Sequence, residues 1–225
     1  MKAQITEIKR AVEIALNEVN PNEAAFVGDQ DHADLMTTIE SQIEAAVDQL
    51  HSTTPLSRMA LDATQEISYD GTNDDPRFIY KAQSGVLTII LKSFDNGLQA
   101  FDADILRMVT ARSKAWPFDV TNEIFPDDPL FAIVTDKYVG AQPDFPAVTH
   151  RRKRILANGS HKSAEVLELR CLEKASDWAN VTFITKAEIH DGTVSIDSKL
   201  YNQLITLLTE KTAVIINTTP QTVIN

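Results

Sequence analysis

The stretch VLTIILK, residues 86–92, is almost entirely apolar or β-branched. This composition predicts a strand that lies centrally in a sheet. RFIYKA (residues 77–82) precedes it across the turn residues Gln83-Ser84-Gly85, and it predicts a second strand. Further strands are predicted at residues 105–111, 147–150, 165–172 and 180–186.

Helical patterns lie on both sides of these strands. Apolar residues recur at three- and four-residue steps from Ile5 to Val19, which is typical of an amphipathic helix. Asp31 is predicted to cap a second helix, and a final helix is predicted to start near Ser198. The apolar stripe of the second helix consists of Leu35, Ile39, Ile43, Ala46, Val47 and Leu50.

The order of these elements predicts the fold class. Helices are segregated from strands rather than alternating with them, which favours an α+β fold over a doubly wound sheet. We expect an N-terminal helical pair, a central antiparallel β-rich body and a C-terminal helix. The predicted division is a helical region over residues 1–60 and a β-rich body with the C-terminal helix over residues 61–225, or one continuous domain.

Composition limits the classes of function. The chain has 225 residues, 21 of them basic and 32 acidic, which gives a net charge of −11. Phosphates would be repelled by such a chain, so general coating of nucleic acid is not expected, although DNA could slide past it without sticking. Cys171 is the only cysteine, which excludes an intramolecular disulfide, and we expect it to be a buried structural thiol. No signal peptide or membrane-spanning run is recognised, so a reducing compartment is expected.

Reactive motifs are not found in the sequence. There is no P-loop, dinucleotide-binding fingerprint or HExxH zinc motif, and Ser160-His161 is expected in a polar loop. The carboxylate pairs next to Pro or Gly are typical of turns. We therefore predict no catalytic residue, metal site or cofactor and expect a protein that is not an enzyme. The remaining alternative is a small metal-dependent hydrolase with a site built from Asp102, Asp104 and one of the scattered histidines, which are His32, His51, His150, His161 and His190.

Two features are candidate interface residues. Arg151, Arg152, Lys153 and Arg154 form a basic tetrad in an acidic chain. The tetrad could be a solvated loop or strand edge, or it could contact phosphate or an acidic patch of a neighbouring copy. Trp116 could anchor an interface, although a buried corner of the core is the more common fate of such a residue.

Residues 101–148 carry a resemblance to a known family. The relevant motifs are FDADILRMV (101–109), SKAWPFDV (113–120), PDDPLF (126–131), the residues Lys137 to Gly140, AQPDFPAV (141–148) and the later SKLY (198–201). Together they resemble the head-to-tail connector proteins of crAss-like Bacteroidetes tailed phages. Asp102 or Ala103 stands where the family has a proline, and Val139-Gly140-Ala141 replaces its Arg-Gly-Asn loop.

The resemblance implies a structural role in the virion. Such connectors form homo-oligomeric rings, commonly dodecamers, beneath the portal protein. They extend the DNA channel and join head to tail. DNA passes through without specific binding, and no membrane is involved. A capsid-associated or internal cargo protein of the virion is the alternative within the same class.

Overall fold

A computed structural model describes residues 1–19, 29–72, 75–93, 104–136, 140–142, 144–157, 160–172, 174 and 177–218. The chain forms two compact units. Residues 1–63 and 186–225 make up a helical unit, and residues 64–185 make up a β-rich unit. In chain order, the described elements are β1 (Lys2–Gln4), α1 (Ile5–Val19), α2 (Asp29–Thr53), a 3-10 turn (Leu56–Arg58), β2 (Gln65–Tyr69), β3 (Phe78–Lys81), β4 (Val86–Ser93), β5 (Ile105–Ser113), β6 (Glu123–Ile124), α3 (Pro129–Thr135), β7 (Val148–Ala157), β8 (Ser160–Arg170), β9 (Ala179–Thr185), β10 (Thr193–Ser195), a second 3-10 turn (Ser198–Leu200) and α4 (Tyr201–Thr218).

The helical unit is built from the three long helices α1, α2 and α4, which pack on one another. Their apolar stripes form its core, because residues three and four positions apart share one face of a helix. Strands β1 and β10 pair in the antiparallel sense, with Ala3 opposite Val194. The buried stripe residues include Ile8, Val12, Leu35, Ile39, Ile43, Ala46, Val47, Leu204 and Leu208.

The β-rich unit contains two sheets. The strand orders are β2-β9-β5 in the smaller sheet and β3-β4-β8-β7-β6 in the larger one. The described pairs are antiparallel, except that β6 runs parallel to β7. The main apolar core draws on both sheets, with Leu87, Ile89, Leu167 and Leu169 from the larger and Phe183 from the smaller. The strand VLTIILK thus lies inside its sheet, between β3 and β8.

The predicted α+β fold is confirmed. It has an N-terminal helical pair, a body of mostly antiparallel strands and a C-terminal helix. The C-terminal helix α4, however, belongs to the unit of the N-terminal helices rather than to the β-rich body. An amphipathic stripe shows that a helix needs an apolar partner, but it does not say which element supplies one.

Three local expectations differ from the structure. Asp31 lies inside α2, which begins two residues earlier at Asp29. Ser160 and His161 begin strand β8 rather than occupying a loop, because β7 and β8 continue pairing to Ala157 and Ser160. Cys171 follows β8 with a φ of 74°, and its thiol is only half-buried. Burial raises the pKa of that thiol, although the nearby charge of Arg170 opposes the rise.

None of the helices in the described part of the chain is long and apolar enough to cross a membrane.

Candidate functional site

The basic tetrad lies on strand β7 of the larger sheet. β7 pairs with β8 along its length, whereas β6 pairs only with Val148 and Thr149. Within the described residues, the tetrad is therefore on a strand edge and not in a loop. Successive side chains of a strand point to opposite faces, so Arg151 and Lys153 share one face of the sheet. Arg152 and Arg154 lie on the other face and are exposed.

The face that carries Arg151 and Lys153 has a buried carboxylate at its centre. Glu168 lies on β8, directly opposite Thr149, and is 1% exposed. The Arg151 Nη2 donates to both Glu168 carboxylate oxygens at 3.0 Å, and the Lys153 ammonium donates to Oε1. The Arg170 Nη2 donates to Oε2 at 2.8 Å. We call these four residues, Arg151, Lys153, Glu168 and Arg170, the Glu168 cluster.

Electrostatics keep this carboxylate ionised. Burial alone would raise the pKa of Glu168, but the hydrogen bonds and charges of Lys153 and Arg151 outweigh it and lower the pKa to about 2. Three cations then surround one anion, which leaves the cluster with two excess positive charges. The Arg151 guanidinium also lies over the Phe131 ring of α3, at 5.7 Å from its centroid.

A second ionic group occupies the opposite face of β7. The His150 imidazole lies between two carboxylates, with Nδ1 2.6 Å from Glu123 and Nε2 2.8 Å from Glu165. Glu123 also accepts a 2.8 Å hydrogen bond from the backbone N–H of Met108, so it joins β6 and β7 to β5 of the smaller sheet. Burial alone would lower the pKa of His150, but the hydrogen bonds and charges of Glu123 and Glu165 raise it.

We expect the His150 imidazole to titrate above its ordinary pKa of 6.5. Because the pKa is higher in the folded state, protonated His150 stabilises the fold fully below about pH 6.5. This contribution is lost as the pH rises through the raised pKa. NMR titration of the imidazole carbons measures the midpoint directly.

Replacement of Glu123 by glutamine is the matched variant for this titration. Glutamine keeps an oxygen that can accept from the Met108 N–H, but it removes the negative charge beside His150. The His150 midpoint should therefore fall in the variant. A midpoint that is equal in both proteins would contradict the role given to Glu123.

Trp116 is buried within the β-rich unit. It is 2% exposed and belongs to the main core, beside Val120 and Ala111. Its side chain therefore occupies a core position, the more common fate of such a residue, rather than an exposed one. The exposed apolar residues lie elsewhere, and the sequence alone does not reveal them.

The structure describes part of the hydrolase alternative. Asp102 lies outside the described residues, and Asp104 forms an ion pair with Lys92. His51 belongs to the helical unit, where its Nε2 accepts from the backbone N–H of Asp197 at 3.1 Å. No group of three or more His, Cys, Asp or Glu side chains in the described ranges could hold a metal ion.

Comparison with protein-family models, with curated proteins and with solved structures finds no significant match for this chain. The resemblance to head-to-tail connectors therefore stays a hypothesis based on its motifs.

Proposed function

We propose that this chain is a structural virion protein that forms a ring at the head–tail junction of a tailed phage. In this role it extends the DNA channel below the portal protein and joins head to tail without catalysing a reaction. One observation carries the proposal. Five of the eleven exposed large apolar side chains of the described residues lie between residues 118 and 145, inside the segment whose motifs resemble the connectors. They are Phe118, Phe125, Leu130, Ile133 and Phe145.

These side chains have the chemistry of a protein–protein contact. Phe145 is 74% exposed, and Leu130 and Ile133 are each 52% exposed. Exposed apolar surface is costly in water, and aromatic residues are enriched where proteins bind one another. A ring supplies each copy with a neighbour that can cover these side chains.

Charge supports the same role. Arg152 and Arg154 are exposed on β7, whereas the whole chain carries a net charge of −11. Basic residues on one copy can therefore attract an acidic region of the next copy and set its orientation. Acidic surface along the channel would repel the phosphates of passing DNA and limit adhesion.

We expect the purified chain to form a large oligomer, alone or on its portal protein. The double variant Phe145→Ser/Ile133→Ser should weaken assembly while leaving the fold intact, because both side chains are exposed. Loss of one well-packed interface residue costs about 2 kcal/mol, or roughly 30-fold in the association constant. Light scattering during size-exclusion chromatography and negative-stain imaging, each with and without the portal protein, measure the effect.

Leu156→Ser is the matched control, because Leu156 is 63% exposed in the same unit but outside the segment. It should assemble as the wild type does. A chain that stays monomeric and never joins a portal or tail component would contradict the proposal. Finding the chain with the capsid or inside the head of a purified particle would favour the other virion role instead.

A further inference from the structure

A polar cavity of about 500 Å³ lies in the β-rich unit at the end of β8. It is bounded by the turn between β3 and β4, the C-terminal end of α3, residues 140–142 and the last residue of β8. Side chains that line it include Gln83, Ser84, Thr135, Gln142 and Arg170. Arg170 also belongs to the Glu168 cluster, so this cavity adjoins the excess positive charge.

Arg170 has a buried donor group that lacks an acceptor among the described residues. A guanidinium carries five N–H donors, and within the described ranges Arg170 donates from Nη2 to Glu168. Its Nε is buried and has no hydrogen-bond partner. A buried donor without an acceptor destabilises a fold by an amount comparable to a lost hydrogen bond, so an acceptor at this position would be favourable.

Two further side chains on the same sheet face show the same shortage of hydrogen-bond acceptors. The Nε of Arg151 and the hydroxyl of Thr88 are also buried without hydrogen-bond partners. Thr88 lies opposite Glu168 in the register of β4 and β8, so it shares the face of the Glu168 cluster. Arg170 is the member of the Glu168 cluster that lines the cavity, and Arg151 and Lys153 share its counter-ion Glu168.

Two glycines lie in segments that border the cavity, Gly140 among the lining residues and Gly85 next to Ser84. A Cβ at Gly140 would lie 2.3 Å from the carbonyl oxygen of Asp136, so only glycine fits this close approach. Gly85, next to Ser84, has a φ of +59°, and its Cβ would lie 2.8 Å from the Leu172 carbonyl oxygen. Close main-chain approaches therefore require glycine at these two positions.

We propose that this cavity binds a small oxyanion, a phosphate, sulfate or carboxylate group, through the guanidinium of Arg170. The amides of Gln83 and Gln142 provide further neutral donors, and the Ser84 hydroxyl, which donates to the Lys81 carbonyl oxygen at 3.4 Å, also lines the cavity. Asp136 also lines the cavity, and its negative charge places the oxyanion on the Arg170 side. The proposed site does not depend on ring assembly.

Calorimetric titration of the full chain with inorganic phosphate at constant ionic strength tests the site. We expect saturable binding that weakens about 10- to 100-fold in Arg170→Gln, which corresponds to losing one hydrogen bond to a charged group. Arg112→Gln is the matched control, because Arg112 pairs with Asp119 in the same unit outside the cavity. Parallel titrations with sulfate and acetate distinguish a tetrahedral oxyanion from a carboxylate.

Ser84→Asp is a second variant that leaves the Glu168 cluster intact. Ser84 is exposed in a turn, so the variant should fold normally, while its added negative charge should abolish phosphate binding. The proposal is overturned if the wild type binds none of the three anions at millimolar concentrations. It is also overturned if Ser84→Asp binds phosphate as the wild type does, or if Arg112→Gln loses as much affinity as Arg170→Gln.

Discussion

Replacement of Glu168 by glutamine is expected to lower the free energy of unfolding of the β-rich unit by about 3 kcal/mol. Glutamine has nearly the same shape but no charge, so Arg151, Lys153 and Arg170 would face one another without a counter-ion. Removing one partner of a buried ion pair costs about 3–5 kcal/mol. We expect a loss at the lower end of this range, because the side chains of the three cations are still 15–29% exposed to solvent.

Tryptophan fluorescence during urea unfolding is a suitable measurement, since Trp116 and Trp178 both belong to the β-rich unit. Glu66→Gln is the control. Glu66 is an exposed carboxylate on β2 of the same unit, and its replacement should change stability by less than about 0.5 kcal/mol. Equal losses in the two variants would contradict the central role of Glu168.

The same glutamate predicts a specific dependence of stability on pH. The pKa of Glu168 falls from an ordinary 4.5 to about 2 in the folded chain. Its ionised form therefore stabilises the fold fully above about pH 4.5, and this contribution is lost as the pH falls towards 2. The difference in stability between the wild type and Glu168→Gln should shrink over this interval.

Replacement of Asp197 by alanine is expected to destabilise the helical unit by about 3 kcal/mol. Asp197 is fully buried, and its carboxylate accepts from the backbone N–H groups of Ala60 at 3.0 Å, Leu61 at 2.6 Å and Lys199 at 3.0 Å. Alanine would leave these donors without the carboxylate. Leu61 also has a φ of 60°, a strained geometry that Asp197 helps to hold.

Asp197→Asn should cost less than Asp197→Ala, because the amide keeps one acceptor oxygen. Far-UV circular dichroism during urea unfolding reports mainly on the helices and therefore on this unit. Glu210→Ala is the control, since Glu210 is exposed on α4 and alanine favours helix. A loss below about 1 kcal/mol in Asp197→Ala would show that other groups hold this turn.

Neither Glu168 nor Asp197 stands out in the sequence. Glu168 lies within the strand pattern VLELR, where it reads as an ordinary polar position. Its burial depends on the register that brings Arg151 and Lys153 of β7 onto its face. Asp197 precedes the last helix as a common cap, but its contacts with Ala60 and Leu61 span more than 130 residues of chain.

Patterns among residues close together in the sequence were sufficient to predict several secondary-structure elements. The apolar steps between Ile5 and Val19 gave both ends of α1. Asp127-Asp128-Pro129 is typical of a turn or of the start of a short helix, and α3 begins at Pro129 with the Asp128 side chain accepting from the Leu130 N–H at 2.8 Å. Capping and periodicity involve neighbours within a few residues, so they can be read without knowing the fold.

The sequence by itself determined that VLTIILK is an interior strand and that helices and strands are segregated, because side-chain period and composition are local properties. Only the tertiary structure decided that α4 joins the N-terminal helices and that the basic tetrad is divided between two faces. It alone placed Arg170 between Glu168 and a polar cavity. These features depend on strand register and on contacts between residues that are far apart in the sequence. A pattern of neighbouring residues does not encode which distant element a strand or helix will pack against.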